Sequence, residues 1–122
     1  MKVWCDASSL ATGVVLEMDN KIVEDASWMR IKDDGAHINV AELDAILKGF
    51  NLALKWSVKR VTLVTDSAAV YGWLRSLLTG SRRVKTSGIA EMLVRRHLHM
   101  IAELRDEYGV QVEVETCEIG VQ

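Results

Sequence analysis

Proline is missing altogether, so the loops of this chain rely on glycine, aspartate and asparagine for their turns. Long apolar runs are missing as well. No stretch of about eighteen apolar residues occurs, which excludes a membrane-spanning helix. The N-terminal segment MKVWCDASS lacks the apolar core of a signal peptide. Cysteine is scarce: Cys5 and Cys117 lie near the two ends, without the C-x-x-C spacing of a zinc or redox motif. Repeats and low-complexity segments are absent. Neither sign of charge dominates. Fifteen basic against 17 acidic residues leave a net charge of -2, so the overall field does not attract nucleic acid. A nucleic-acid partner has to be read from local patches.

What is present fits one soluble globular domain spanning residues 1–122. Hydrophobic residues make up 49% and charged residues 26% of the sequence, ordinary values for such a domain. The length suffices to bury a single core without staples. A strand-like segment begins at Lys2 with no linker before it, and we expect a domain excised from a longer protein.

Periodicity supplies the elements. Residues 2–7 read as a strand, Ala11–Met18 as a second and Ile22–Ile31 as a third, with Asp19-Asn20 as a tight turn. These three predict an antiparallel meander. From Val40 to Trp56 the apolar positions Val40, Leu43, Ile46, Leu47, Phe50 and Leu54 step by three and four, as on an amphipathic helix. Val61–Val64 reads as a buried strand, Ser67–Leu78 as a helix and Ile89–Tyr108 as a long helix with Ile89, Leu93, Ile101 and Leu104 as its stripe. Gly109 stops that helix, and Val110–Thr116 alternates as the last strand. The strand–helix–strand unit implies a parallel pair with a right-handed crossover. The expectation is an α/β fold: a five-stranded mixed sheet, the meander joined through its first strand to two parallel strands, with helices on both faces. In that sheet a strand separates Cys5 from Cys117 by roughly 10 Å, beyond disulfide reach. Reduced, intracellular thiols follow.

Three acids sit at element boundaries: Asp6 in the first strand, Glu42 in the first turn of a helix, and Asp66 where a strand gives way to a helix. Each has a local explanation. Asn39-x-x-Glu42, within INVAELDAI, resembles a capping box. Asp66 is a natural N-cap. Asp6 can end its strand in a turn with Ser8 and Ser9. Together they suggest something else. If the first and fourth strands are parallel neighbours, both aspartates emerge at one sheet edge, where ligands of such sheets bind. Converging carboxylates repel unless a divalent cation neutralises them, and hard oxygen ligands suit Mg²⁺ or Mn²⁺.

The series VWCDAS, HINVAELDAILKGFNLAL and VTLVTDSAAVYGWL resembles the ribonuclease H domain of retroelement reverse transcriptase polyproteins, most like the gypsy type, from Val3 to about Glu118. The resemblance implies a ribonuclease H-like fold and metal-dependent cleavage of the RNA strand of RNA–DNA hybrids. Asp6, Glu42 and Asp66 match the first three acids of the family's catalytic metal site. By that likeness two Mg²⁺ or Mn²⁺ ions act: Asp6 bridges them, and Glu42 and Asp66 hold the one that stabilises the leaving 3′-oxygen. Ser8, Ser9 and Ser67 match positions where hydroxyl or amide donors meet phosphate. The resemblance also implies reverse transcriptase and connection domains of the same polyprotein as partners, and a cytoplasmic, nuclear or virus-like-particle location.

The sequence departs from the pattern at its end. The family's fourth acid, the histidine before it and the closing helix have no counterpart, and Glu118 lies too early to serve. One metal position is intact and the other lacks its acid. Two further readings therefore stay open. One is the same fold without catalysis, as a nucleic-acid-binding or scaffold module. The other is an integrase core, with Glu103 as the late acid, although such a core has no need of Glu42. The basic run Ser81-Arg82-Arg83-Val84-Lys85, followed by Arg95 and Arg96, reads as a phosphate-contacting patch. His37 lies beside the helix start, while His97 and His99 point different ways on theirs. Trp4, Trp28, Trp56 and Trp73 are expected in the core, with Trp73 alternatively beside the DNA strand.

Overall fold

A computed structural model of the chain describes residues 1–8, 10–30, 38–80 and 89–117. In chain order the elements are β1 (Lys2–Ala7), β2 (Ala11–Met18), β3 (Lys21–Met29), α1 (Ile38–Leu54), β4 (Arg60–Thr65), α2 (Ala68–Leu78), α3 (Ile89–Tyr108) and β5 (Gln111–Thr116). The strands form one sheet in the order β3-β2-β1-β4-β5. β1, β2 and β3 pair antiparallel, and β4 pairs parallel with both β1 and β5. The expected meander and parallel pairs are thus in place.

Local chemistry explains the joints. Asp19 and Asn20 both have positive φ, 53° and 66°, as a two-residue type I′ hairpin requires. Gly109, at φ 63°, lets Val110 donate its N–H to Arg105 O at 3.2 Å, a glycine-centred stop to α3. Along β2 the residues Thr12, Val14 and Leu16 are buried and their neighbours half-buried, which fixes the inward face.

Helices were expected on both faces; among the described residues α1 and α2 pack against a single face, the one bearing Val3, Val14 and Leu63, and α3 packs on α1 and α2. The strand order gives the reason. The chain moves from β1 to β4 to β5 without reversing direction, and right-handed crossovers in one direction deliver their helices to one side. Among the described residues no helix lies over the opposite face, which carries Trp4, Val15 and Asp25 side by side.

α1 is the centre of the molecule, lying between the sheet and α3. Leu43, Ile46 and Phe50 have no exposed surface, and each such side chain contributes roughly 1.5–3 kcal/mol. The apolar stripe read from the sequence accounts for only part of the buried residues of α1. A second row, Ala41, Ala45, Gly49 and Ala53, is buried as well, at four-residue spacing. Small residues let the helix axis approach the sheet. A Cβ on Gly49 would lie 2.6 Å from Val3 Cγ1 and 3.1 Å from Val14 Cγ1. On α3 the fully buried positions are Val94 and Ile101, with Leu98 nearly so, while Leu93 and Leu104 are partly buried. The stripe is therefore turned slightly from the one expected, and the side chain of Ile89 is outside the described set.

The tryptophans also differ from expectation. Trp73 packs against the core from a partly buried position. Trp4 donates its indole N–H to Glu17 at 2.9 Å, Trp56 does the same to Glu24 at 2.9 Å, and Trp28 lies under the Lys48 ammonium at 4.8 Å. Indole hydrogen bonds keep Trp4 and Trp56, and the Lys48 ammonium keeps Trp28, at the boundary with water.

His97 pins α3 to α1. Its Nε2 is 3.0 Å from Asp44 Oδ1 and its Nδ1 is 2.7 Å from Leu93 O. Both partners are acceptors, so the doubly protonated ring satisfies both. The Asp44 hydrogen bond holds the His97 pKa above the usual range, against burial and Arg96. In return, His97 and then Lys48 hold Asp44 below the usual carboxylate range. His99, by contrast, is exposed and pairs with Glu103 at 2.6 Å.

Two outcomes follow for stability. Gly49→Ala lowers it by up to about 2 kcal/mol, because crowding at Val3 and Val14 (roughly 1–3 kcal/mol) outweighs the gain in helix propensity (about 1 kcal/mol). Gly72→Ala, where an added Cβ meets nothing within 4 Å, raises it by about 0.5–1 kcal/mol. Urea denaturation measures both. For His97, a raised folded-state pKa gives stability that is complete below the unfolded value and lost as pH rises through the folded one. The deficit of His97→Gln relative to wild type is therefore large near about pH 6 and shrinks near about pH 9, read from urea melts at both.

Candidate metal centre

Parallel pairing of β1 with β4 brings two aspartates to one edge. Val3 faces Leu63 and Trp4 faces Val64, so Asp6, near the end of β1, comes level with Asp66, just past the end of β4. Asp6 alternates onto the helix-free face, and Glu42 arrives from α1 on the other. At the edge they meet: one ligand oxygen from each of Asp6, Glu42 and Asp66 lies within 4.8 Å of the others. Asp6 and Asp66 are exposed, whereas Glu42 is 4% exposed. Among the described residues no lysine or arginine is ion-paired with any of the three. Three hard oxygen donors, with no cationic side chain of the described residues paired to them, are a donor set that fits Mg²⁺ or Mn²⁺.

The local explanations for Asp66 and Glu42 give way. Ser67, not Asp66, caps α2: its hydroxyl accepts the Val70 N–H at 3.2 Å from an extended backbone at φ -90°, ψ 120°. That frees the Asp66 carboxylate for the cluster. Asn39 does not start α1, because the helix already includes Ile38. The first turn of α1 holds no acid, and Glu42 stands two residues deeper than a capping box would place it. Asn39 Oδ1 instead accepts the Ser67 hydroxyl at 2.8 Å, tying the start of α1 to the start of α2.

Glu42 is held by Thr65, a contact that sequence reasoning missed. The Thr65 hydroxyl donates to Glu42 Oε2, and the Ser67 N–H donates to Thr65 Oγ1 at 3.1 Å. Thr65 is 1% exposed. The signal lay in VTLVT, whose alternation puts Thr65 on the face of Val61 and Leu63 that α1 covers. Burial pushes the Glu42 pKa up; the Thr65 bond opposes this, and the neighbouring Asp66 adds to the rise. Cys5 lies beneath the cluster, its thiol donating to Val64 O at 3.4 Å. Burial, and then the nearby charges of Glu42, Asp66 and Asp6, push its pKa far up, so it stays a neutral thiol. Cys5 and Cys117 are both free, as expected.

Other residues singled out in the sequence fall as follows. Ser8 turns the chain from β1 to β2: its hydroxyl accepts the N–H groups of Leu10 at 3.2 Å and Ala11 at 3.1 Å. Ser67 is the α2 cap. Arg95 is bound to Glu91 at 2.9 Å and Arg96 is exposed on α3. Glu103 stands apart from the carboxylate cluster, which removes the observation behind the integrase reading. Ser9, His37, Arg82, Arg83, Lys85 and Glu118 lie outside the described residues. Beside the cluster, on the helix-free face, opens a groove of about 470 Å³ lined by Trp4, Asp6, Val15, Asp25, Asp66 and Cys117, among others.

Comparison with known proteins agrees with the fold. Residues 3–106 match the model of a family described as reverse transcriptase-like. Among solved structures the chain is similar to ribonuclease H1 from the archaeon Halobacterium salinarum. Identity is 21% and the TM-score 0.70, over 95% of this chain and 83% of that one. It is also similar to the N-terminal ribonuclease H domain of a Mycobacterium tuberculosis protein, solved as a fusion with maltose-binding protein. There identity is 16% and the TM-score 0.67, over 96% of this chain and 87% of that one. At these identities the likeness is one of fold. No curated protein matches the chain in sequence.

The buried Glu42 gives a prediction in the absence of metal. Its raised pKa makes ionisation costly, so its effect on stability becomes unfavourable as pH rises through the folded value. Glu42→Gln keeps an acceptor for Thr65 and carries no charge. Metal-free Glu42→Gln should melt above wild type at about pH 8 and converge with it near about pH 4, as differential scanning calorimetry would read.

Proposed function

The chain belongs to the reverse transcriptase-like family, and from that premise we propose that it is a divalent-metal-dependent ribonuclease of RNA–DNA hybrids. The observation that carries this reading is the convergence of Asp6, Glu42 and Asp66 within 4.8 Å at the carboxyl edge of two parallel strands. A cation bound there would supply Lewis-acid stabilisation of the charge that develops on the leaving 3′-oxygen of a phosphodiester.

The protein's own part is to present the donors. Asp6 and Asp66 face solvent at the ends of rigid strands, where a phosphate backbone can approach. Glu42 is fixed from behind and buried, so its carboxylate is oriented before any cation arrives. Hydrolysis joins a water oxygen to phosphorus and releases the 3′-oxygen of the RNA strand. The 2′-hydroxyl is the group by which such a site tells RNA from DNA. Ser9, Arg82, Arg83 and Lys85 would bind backbone phosphates, adding salt-dependent affinity without base choice. Ser8 and Ser67, with hydroxyls already engaged, would shape the site more than bind in it. The natural setting of this activity is a polyprotein with reverse transcriptase and connection domains inside a cell.

The test is cleavage of an end-labelled hybrid with Mg²⁺ and with Mn²⁺, alongside thermal melts with and without the cation. Wild type should cut the RNA strand, and Asp6→Asn, Glu42→Gln and Asp66→Asn should each lose about 100-fold or more. At a cation concentration of about 100 Kd, wild type should gain about 2.7 kcal/mol of stability and the three variants little. Equal gains in all four proteins would rule out the metal site. Hybrid binding without cleavage in wild type would favour a nucleic-acid-binding module.

A further inference from the structure

We propose that Thr65 is the positioning residue of the metal centre: its hydroxyl sets the direction of the Glu42 carboxylate. This rests on the metal-site reading above and adds to it the residue that orients the buried ligand.

The chemistry of the hydroxyl dictates the direction. A threonine hydroxyl has one hydrogen to donate and lone pairs to accept with. The Ser67 backbone N–H can only donate, and it points at Thr65 Oγ1 from 3.1 Å. Oγ1 is therefore an acceptor towards Ser67, and its hydrogen is free for Glu42 Oε2. The bond fixes one carboxylate oxygen of a residue that also stands in the cluster with Asp6 and Asp66. The pair is shielded from solvent. Thr65 is 1% and Glu42 4% exposed, so water does not readily replace the hydroxyl.

The same hydroxyl joins three elements. Thr65 ends β4, Ser67 caps α2, and Glu42 belongs to α1. Ser67 also donates to Asn39 on α1 at 2.8 Å, so Glu42 and the start of its helix are both referred to the end of β4. Asp66 stands between Thr65 and Ser67 in the chain. Its backbone is thus fixed on both sides by the residues that fix Glu42. Partners that orient a metal's ligands typically change affinity about 10- to 100-fold when removed.

The test is calorimetric titration of Mn²⁺ into wild type, Thr65→Val, Thr65→Ser and Asp66→Asn, with circular dichroism melts of each protein without metal. Thr65→Val keeps the shape and removes the hydroxyl; Thr65→Ser keeps the hydroxyl. The expected result is a weakening of Mn²⁺ affinity by about tenfold or more in Thr65→Val and near-wild-type affinity in Thr65→Ser. A merely structural role would lower the metal-free melting temperature of Thr65→Val and leave Mn²⁺ affinity unchanged, and that result would overturn the proposal. Equal weakening in Thr65→Val and Thr65→Ser would also overturn it, since the hydroxyl would not be the cause. If wild type and Asp66→Asn bind Mn²⁺ equally or not at all, the metal-site reading itself fails.

Discussion

The parallel pairing of β1 with β4 is the constraint on which everything else in this molecule depends. It joins the antiparallel half of the sheet to the parallel half. It sets Val3 against Leu63 in the floor of the core and brings Asp6 level with Asp66 at the edge. Because the strand order then continues outward to β5 without reversal, the helices gather on one face and the other remains a shallow groove. Core and candidate site are therefore two consequences of one register. A slip of one residue would turn Val3 to the wrong face and part the two aspartates in the same step.

The second requirement is that α1 lie close to this sheet. Gly49 and the small residues in its row permit the approach, and the approach carries Glu42 inward. Burying a carboxylate opposes folding unless hydrogen bonds and opposite charge offset it. Thr65 supplies the hydrogen bond. Among the described residues no lysine or arginine side chain is paired with the three acids to supply the charge. On the proposed reading, such an arrangement trades stability of the bare protein for a preformed cation site, the usual location of local conflict in an otherwise consistent fold. The resistance of Cys5 to ionisation has the same origin, since it lies in the field of the three acids.

Much of this was legible in the sequence, for definite reasons. β2 alternates cleanly because one face is buried, and α3 ends at a glycine whose positive φ few other residues adopt. The three acids stood out because each interrupts an apolar element. Their convergence followed once β1 and β4 were taken as parallel neighbours. Other features resisted. The small-residue row of α1 carries no apolar bulk, so periodicity does not register it. Asn39 looked like a cap because its spacing to Glu42 suits one, yet a helix start depends on the residues before it and not on spacing alone. Ser67 displaced Asp66 as the cap of α2, a choice between adjacent residues that propensity cannot make. The bonds from Thr65 to Glu42 and from His97 to Asp44 span 23 and 53 residues, distances over which sequence pattern is silent.

The central claim is that Asp6, Glu42 and Asp66 form one divalent-cation site. Anomalous diffraction from crystals soaked in Mn²⁺ tests it most directly. The account predicts a strong anomalous peak in contact with an oxygen of each of the three carboxylates, and none at that place in Asp66→Asn. A well-ordered site without a peak, or Mn²⁺ bound only elsewhere on the surface, would contradict it.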